Sequence, residues 1–447
     1  MPNCWQTSAG TSSRVLQMVL AAPMAEGTMT ALTRSEAFYG WRVVVAAFVL
    51  AVFGWGLGFY GPPVYLHAVR EARGWSLGLV STAVTVHFLS GAFVIANLPK
   101  LYRRFGVPTV TKAGALSLAS GITGWAVAVE PWHLFVGTLL SGAGWVTMGA
   151  AAVNAVVSPW FVRIRPAALA SAYNGSSVGG VVFSPLWVAA IGFLGFPLAA
   201  AVIGLVMVVI IWVLADVFFA KTPDQMGLIP DGDVLGAASV SVTSASAHPL
   251  PGKQLWRDFR FITLAAGMAL GLFAQIGLIT HLFSLLVPAF GAQIAGVAAG
   301  AATAAAIAGR TLVGWLMPAG ADRRLFACAN AVVQIVGSLA FYLAAGDNIL
   351  LLLTGVVLFG AGIGNTTSLP PLIAQIEFVK EDVPRVVPLI IAIGQASYAF
   401  APAAFGLIRE FAPQAGVASA GAAPYLFIAA ALIQALAIMA FLAGRPR

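Results

Sequence analysis

Apolar stretches of about 20 residues recur along almost the whole chain, and they restrict its possible folds more than any other feature. A helix of about 20 apolar residues crosses the ~30 Å hydrocarbon core of a bilayer. In lipid every backbone polar group needs an internal partner, so spanning segments are helices or closed barrels. The apolar residues run continuously and do not alternate, which excludes a barrel. With 60% hydrophobic and 9% charged residues, the chain is predicted to be an all-α membrane protein.

The stretches predict about 12 transmembrane helices in two pseudo-symmetric six-helix bundles. They lie at residues 43–66, 77–98, 110–129, 132–157, 168–193, 196–219, 260–288, 292–317, 325–345, 348–374, 385–408 and 422–442. A polar, partly Ser/Ala-rich stretch is the one candidate linker and falls at mid-chain. The predicted organisation is an N-terminal cytoplasmic leader (1–40), an N-terminal bundle (41–219), a cytoplasmic linker (220–259) and a C-terminal bundle (260–447).

The basic residues predict the orientation of the chain. With the N terminus in the cytoplasm, 19 of the 23 Lys and Arg residues fall in cytoplasmic segments. The outer loops hold Arg70, Arg73 and Arg409, and Arg310 lies within a span. Cytoplasmic loops carry the excess of positive charge, so both termini are expected inside a bacterial inner membrane. This distribution explains the net charge of +8 without a nucleic-acid partner, because no basic face is present.

The two halves of the sequence repeat each other. The pattern GTLLSGAG, with Gly137, Gly142 and Gly144, returns as GVVLFGAG, with Gly355, Gly360 and Gly362. The segment WFVR at 160–163 corresponds to EFVK at 377–380, the pair at 103–104 to the pair at 323–324, and Arg42 to Arg260. The four pairings share an offset of about 217–220 residues. Their common order indicates duplication of a six-helix unit, which suits two halves that move about a site near the midplane.

From about residue 38 to 445 the chain resembles the major facilitator superfamily. The segment Tyr39–Arg42 (YGWR) and the Gly-rich Gly54–Gly58 are similar to the monocarboxylate-transporter and oxalate–formate-antiporter branches. So are Trp160-Phe161 and Asn174–Gly180. The segment Gly309–Gly314, which contains Arg310, resembles the eighth-span signature. The resemblance implies a secondary transporter whose first, fourth, seventh and tenth helices face the cavity.

The loop between the second and third spans departs from the family pattern. The family usually has Gly-x-x-x-Asp-Arg-x-Gly, and this chain has Pro99–Gly106 (PKLYRRFG). Arg103 stands where the family has the acid, whereas Arg104 and Gly106 match the pattern. In the family that acid helps to hold the cytoplasmic side closed. We therefore predict a gating loop at Arg103, Arg104 and Gly106, with energetics that do not carry over from the family.

Arg310 is the sharpest functional signal in the sequence. It lies about eight residues from the inner end of its span, or about 12 Å deep at 1.5 Å per residue. A buried charge at this depth usually faces a cavity. All 15 acidic residues fall in loops or near helix ends, so no deep carboxylate neutralises Arg310. Because guanidinium grips carboxylate with two hydrogen bonds, we predict an anion site, against the alternative that Arg310 reaches to the inner surface.

Other polar residues inside the spans are candidates for the same pathway. A histidine titrates near neutral pH, so His281 and, more weakly, His87 are candidate proton relays; each is also consistent with a simple polar contact. Uncharged polar side chains either line the pathway or bridge helices. The candidate substrate-binding residues are Arg310, Gln275, His281, Asn154, Asn365, Gln395 and Tyr60.

The leading hypothesis is a transporter of a small organic anion, a monocarboxylate, by alternating access with possible proton coupling. Export of an apolar or amphipathic compound is the alternative, and a non-transporting sensor is disfavoured because the longest loop has only about 40 residues. No catalytic constellation, nucleotide-binding loop or metal-type Cys spacing occurs, so no enzyme activity, cofactor or metal is expected. The expected partners are the solute, protons and the lipid bilayer, and the expected state is a monomer.

Overall fold

The computed structural model describes residues 38–232, 252–318, 320–379, 381–412 and 422–445. In these ranges the regular secondary structure is helical throughout. The leader predicted for 1–40 lies almost entirely outside the described residues. So does the Ser/Ala-rich part of the predicted linker. The division into bundles at 41–219 and 260–447 stays a prediction, and "N-terminal half" and "C-terminal half" below refer to the two sides of residue 240.

The described residues of the N-terminal half form eight α-helices. They are α1 (Tyr39–Gly58), α2 (Pro62–Arg73), α3 (Leu77–Phe105), α4 (Val107–Val127), α5 (Pro131–Trp145), α6 (Ala150–Val157), α7 (Arg165–Leu194) and α8 (Phe196–Leu214). Helices α1 and α2 together form the first span, broken next to Tyr60, and α5 and α6 form the fourth. The predicted first and fourth spans are therefore present, but each is divided into two helical segments.

The C-terminal half contains α9 (Gly252–Leu255), α10 (Phe259–Leu316), α11 (Arg323–Ala344), α12 (Ile349–Glu377), α13 (Val383–Tyr398), α14 (Ala401–Phe411) and α15 (Pro424–Ala443). Helix α10 has 58 residues, which at 1.5 Å per residue is about twice the length of one span. Gly291, with φ 73° and ψ 164°, interrupts it. A side chain would be strained at that φ, so glycine permits the break. The two segments correspond to the predicted seventh and eighth spans.

Ten helical stretches in the described residues are long and apolar enough to cross a membrane. One of them is the whole of α10, and α4, with 21 residues packed between α5 and α8, is not among them. Counting both segments of α10 and including α4 gives the predicted twelve spans. The all-α, twelve-helix fold class is confirmed.

Side chains at the first turns explain where several of these helices begin. Ser76, Asp258, Asp322 and Asn348 each accept a hydrogen bond from a backbone N–H in the first turn that follows. These N–H groups have no partner within the helix, so a capping oxygen stabilises each start. Helices α2, α5 and α15 instead begin with proline, and α7 has proline as its second residue; proline has no N–H that needs an acceptor.

The repeated glycines make equivalent contacts in the two halves. A Cβ on Gly142 of α5 would lie 1.9 Å from the backbone oxygen of His87 on the second span. A Cβ on Gly360 of α12 would lie 2.6 Å from the backbone oxygen of Ala302 on the eighth span. The flanking repeat glycines similarly contact α4 in the first half and α11 in the second. Close approach of helices in lipid requires such small residues, so the repeat reports a shared packing scheme.

The two halves meet through α2, α3 and α7 on one side and α10 and α14 on the other. The backbone N–H of Gly78, at the start of α3, donates to Glu410 on α14, and that of Ala403 donates to Thr85 at 3.1 Å. Gly406 lies so close to Ser81 that a Cβ would come within 2.4 Å of its hydroxyl. These contacts lie toward the end of the molecule where α3 and α15 begin, which is called the closed end below.

Candidate functional site

Arg310 lies in the second segment of α10 and is partly buried. Its Nη2 group is 3.5 Å from the backbone oxygen of Gly364 on α12, a long contact, and its buried Nε has no partner. No carboxylate of the described residues forms an ion pair with it. A guanidinium has five N–H donors, and most of those on Arg310 have no protein acceptor. This side chain therefore keeps its capacity to bind an anion.

Tyr60 faces Arg310 from the opposite half of the molecule. It lies in the break between α1 and α2, where its hydroxyl contacts Thr303 and interacts electrostatically with Arg310. A Cβ on Gly180 would lie 2.6 Å from the methyl carbon of Thr303 and 2.7 Å from the Tyr60 ring. Gly180 thus leaves the space that these two side chains occupy. The fold thus brings together two candidate substrate-binding residues, Tyr60 from the first span and Arg310 from the eighth.

Asn365 lies beside this site but is turned toward its own helix. Its side chain is buried and its Nδ2 is 3.5 Å from the Ala361 backbone oxygen. Gly364, the residue before Asn365, lies directly against Arg310, because a Cβ on Gly364 would come within 2.9 Å of the Arg310 guanidinium. The absence of a side chain at Gly364 is therefore what allows Arg310 to lie against α12.

Gln395 and Asn154 lie at two other places. Gln395, on α13, is half-buried and hydrogen bonds to Tyr398. The Tyr398 ring packs edge-on against Phe88 of the other half at a centroid distance of 5.6 Å. Asn154, on α6, is exposed, and its side-chain oxygen accepts a hydrogen bond from Ser158. Gln395 is therefore near the contact between the halves, and Asn154 is exposed with a partner on its own chain segment.

Gln275 is enclosed within the C-terminal half. Its side-chain oxygen accepts a hydrogen bond of 3.0 Å from Gln334 on α11, whose own oxygen accepts one of 2.8 Å from Gln434 on α15. All three side chains are at most 2% exposed. Such a chain satisfies buried amides and links three helices. The geometry favours the helix-bridging alternative for Gln275, and it is not included in the site proposed below.

The two candidate relay histidines have different surroundings. His87 has both ring nitrogens engaged at 2.8 Å, Nδ1 with the Ser141 hydroxyl and Nε2 with the Gly58 backbone oxygen. His281 is fully buried, its Nε2 is 3.3 Å from the Pro402 backbone oxygen and its Nδ1 has no partner. His87 therefore connects three spans of one half. His281, on α10, contacts α14 through Nε2, and its Nδ1 has no partner among the described residues.

The predicted gating loop forms the junction of α3 and α4. Arg103 and Arg104 are exposed in the last turn of α3, and neither pairs with a carboxylate of the described residues. The Arg104 guanidinium lies 5.1 Å from the centre of the Phe105 ring. Gly106 has φ 79°, which explains the glycine at the turn. The gating role of the three residues stays a prediction.

Sequence reasoning missed Thr303, Gly180 and Gly364. Thr303 is seven residues before Arg310, and residues at that spacing share one face of a helix. This spacing could have identified it. The two glycines carry no such signal, because glycine is frequent throughout the spans. In the described part of the chain, no group of three His, Cys, Asp or Glu side chains is arranged to hold a metal ion.

Comparison with known proteins places this geometry in context. The sequence profile of the Major Facilitator Superfamily matches residues 45–402. The MFS transporter asaE of Aspergillus flavus is 25% identical over 357 residues, covering 76% of this chain and 74% of that protein.

Solved transporter structures share the fold at low sequence identity. The D-xylose-proton symporter has a TM-score of 0.67 at 12% identity, covering 92% of this chain and 98% of the other. The nucleoside transporter NupG has a TM-score of 0.63 at 12% identity, covering 91% and 98%. A bacterial homologue of the human lysosomal transporter Spinster, in an inward-facing and occupied conformation, has 0.66 at 13% identity, covering 92% and 97%.

Proposed function

Because this chain belongs to the Major Facilitator Superfamily, whose transporters carry small-molecule solutes, we propose that its solute is a small organic anion, a monocarboxylate. The observation that supports this proposal is the Arg310 guanidinium, which faces Tyr60 across the contact between the halves and has no carboxylate partner in the described residues. A monocarboxylate supplies the missing negative charge. It also matches the two-pronged donor geometry of arginine.

The proposed site would use both halves of the molecule. The carboxylate accepts hydrogen bonds from Arg310 in the C-terminal half and from the Tyr60 hydroxyl in the N-terminal half, with Thr303 alongside. A ligand held by both halves has a different affinity for each arrangement of the halves. It can therefore bias the change between them, which is the basis of the alternating access included in this proposal.

The proposed orientation follows from the basic residues. With both termini in the cytoplasm, the closed end, which carries Arg70 and Arg409, faces outward. In this orientation the contacts between α3 and α14 close the outer side. We place the protein in the plasma membrane, as the Lys and Arg distribution predicts.

The proposal includes proton coupling, with His281 as the residue that carries the proton. This histidine lies between α10 and α14, and its Nδ1 is free to accept a proton. A proton on His281 would add a positive charge close to Arg409 and Arg70 and would weaken the closed end. His87 is not assigned this role, because both of its nitrogens are already hydrogen bonded.

The test is uptake of radiolabelled short monocarboxylates into proteoliposomes, with and without an inward proton gradient. Arg310→Gln removes the charge with little change in size, and Arg310→Lys keeps the charge but loses the fork. Loss of a charged hydrogen bond costs about 1.5–3 kcal/mol, so uptake at low solute concentration should fall about tenfold or more in Arg310→Gln. The matched control is Arg257→Gln, an exposed arginine with the same change of charge. Native uptake by Arg310→Gln would refute the anion site.

Export of an apolar or amphipathic compound is a second candidate, favoured by aromatic rings near the contact between the halves. Trp145 lies 6.1 Å from Trp55 and 6.2 Å from Phe59, measured between ring centres, and Phe88 packs on Tyr398. Such rings suit an apolar solute. Folded protein that takes up no carboxylate, but that exports an amphipathic dye from inside-out vesicles, would favour this candidate.

A further inference from the structure

A cavity of about 570 Å³ lies at the closed end, between the two halves. Helix α2 contributes His67 and Arg70 to its wall, and α14 contributes Arg409 and Glu410. The starts of α3 and α15 and the part of α10 around Ser284 and Pro288 complete the lining. Ligand sites for small molecules typically have volumes of about 300–1,000 Å³. Arg310 does not line this cavity, so it is separate from the site proposed above.

Two arginines from opposite halves point their charges into this cavity. Arg70 and Arg409 are far apart in the sequence, yet their positive charges act on each other. The Nη1 group of Arg409 donates to the Ser284 hydroxyl at 2.6 Å, and the buried Nε of Arg70 has no partner among the described residues. Neither guanidinium forms an ion pair with a carboxylate of the described residues. Two positive charges that act on each other at a shared cavity are unfavourable, and a bound anion would offset this repulsion.

Two acidic groups, Glu410 and Glu71, lie near the arginine pair without forming an ion pair with it among the described residues. Glu410 also lines the cavity, but one of its carboxylate oxygens accepts the hydrogen bond from Gly78 at the start of α3. Glu71 is exposed and lies 3.4 Å from the Nε2 of His67. The arginine pair therefore retains donors that these two carboxylates do not satisfy.

We propose that this cavity is an oxyanion site in which Arg70 and Arg409 together hold one carboxylate or phosphate group, from a soluble solute or a lipid headgroup. A guanidinium pair matches such a group because each can donate two parallel hydrogen bonds. The two arginines belong to different halves, so the site is complete only when the closed end is closed. A bound anion offsets their repulsion and stabilises that conformation. This site does not depend on a substrate role for Arg310.

The first experiment is calorimetric titration of the detergent-purified full-length protein with inorganic phosphate, at constant ionic strength against chloride. Saturable binding is expected, and Arg70→Gln or Arg409→Gln should weaken it about tenfold or more. Arg257→Gln, an exposed arginine, is the charge-matched control and should bind as the native protein does. Arg310→Gln should also retain this binding. That variant separates failure of this site from failure of the substrate site.

Absence of phosphate binding by the native protein would overturn the proposal, as would unchanged binding in both Arg70→Gln and Arg409→Gln. Loss of binding in Arg310→Gln alone would assign the phosphate to the other site and would also overturn it. The variants Arg70→Lys and Arg409→Lys keep the positive charge, so they test the site even if the glutamine variants do not fold. Because lysine lacks the planar fork, binding should still weaken several-fold.

A second titration distinguishes the two sources of the anion. The same protein is placed in nanodiscs of phosphatidylcholine alone, or of phosphatidylcholine with phosphatidylglycerol. If a lipid headgroup occupies the cavity, phosphatidylglycerol should weaken phosphate binding in the native protein by competition. If the ligand is a soluble solute, phosphate should bind equally in both discs. In both kinds of disc Arg70→Gln should weaken phosphate binding. A competition by phosphatidylglycerol that is as strong in Arg70→Gln as in the native protein would contradict the site.

Discussion

Replacement of Arg324 is expected to destabilise the C-terminal half strongly, because its buried guanidinium is fully satisfied. The side chain is 1% exposed. Its Nε and Nη2 donate to the two carboxylate oxygens of Glu377 at 2.6 and 2.8 Å. Nη2 also donates to the Arg260 backbone oxygen at 3.0 Å. Nη1 donates to the Thr263 hydroxyl and to the Phe441 backbone oxygen, at 3.1 Å each. These five hydrogen bonds join α10, α11, α12 and α15 near one end of the half.

The expected magnitude follows from what Arg324→Gln leaves behind. Glu377, whose side chain is 9% exposed, would lose its only ion-pair partner among the described residues. Breaking a buried ion pair by removing one partner costs about 3–5 kcal/mol. The neighbouring Arg323 is partly buried and donates one described hydrogen bond, to the Leu372 backbone oxygen at 2.6 Å. Arg323→Gln is therefore the matched control, with an expected cost of about 1 kcal/mol.

The measurement is equilibrium unfolding in mixed micelles of a mild detergent and dodecyl sulfate, followed by tryptophan fluorescence. Arg324→Gln should unfold at a clearly lower dodecyl sulfate fraction than Arg323→Gln. The double variant Arg324→Gln/Glu377→Gln should recover part of the loss, because no unpaired charge remains buried. Equal unfolding midpoints for Arg324→Gln and Arg323→Gln would refute the reasoning.

Two further predictions follow from buried or capped polar groups. His87→Ala leaves the buried Gly58 oxygen without the His87 donor, whereas Ser141 keeps its bonds to Trp125 and Thr138. The variant should therefore destabilise the protein by about 1–3 kcal/mol and leave the ratio of uptake with and without a proton gradient unchanged. A normal unfolding midpoint with a lost gradient response would instead make His87 a relay. The backbone N–H groups of Arg163, Val162 and Ile164 hold the pKa of Asp231 below its ordinary value of 3.8, against the opposing effect of burial. A depressed pKa gives a contribution that is fully present above the unfolded value and is lost as pH falls through the lower folded value. Slower amide exchange at 162–164 relative to Asp231→Ala should therefore be seen at neutral pH and should begin to disappear only below about pH 3.8. An equal difference at all pH values would contradict this.

The repeated arginine pairs show how far a duplicated sequence predicts equivalent structure. Arg104 and Arg324 occupy corresponding positions, but Arg104 is exposed and Arg324 is buried. The difference in burial between Arg104 and Arg324 follows from a second pair of corresponding positions. The first half has Trp160 there, and the second half has Glu377. Glu377 compensates the charge of the fully buried Arg324, and the first half has no acid at the corresponding position.

The number of spans, their positions and the depth of Arg310 could be predicted from the sequence alone. The spans and their even number follow from hydropathy and charge, which are properties of each segment and need no knowledge of its neighbours. The division of the fourth span at Gly149 was not predicted, because glycine occurs throughout the spans. The break at Gly291, in contrast, falls between the predicted seventh and eighth spans at 260–288 and 292–317. The depth of Arg310 followed from counting residues along a helix, and its missing partner from the positions of the acids.

Only the tertiary structure decided which way the polar side chains face. Lipid and protein interior are both apolar, so a membrane helix shows little contrast between its faces and its rotation cannot be derived from its sequence. For this reason Gln275 was grouped with Arg310, although it bonds to Gln334 inside one half. Arg70 and Arg409 likewise share a cavity only because the two halves come together at the closed end, and no local pattern relates two helix ends from opposite halves of the chain.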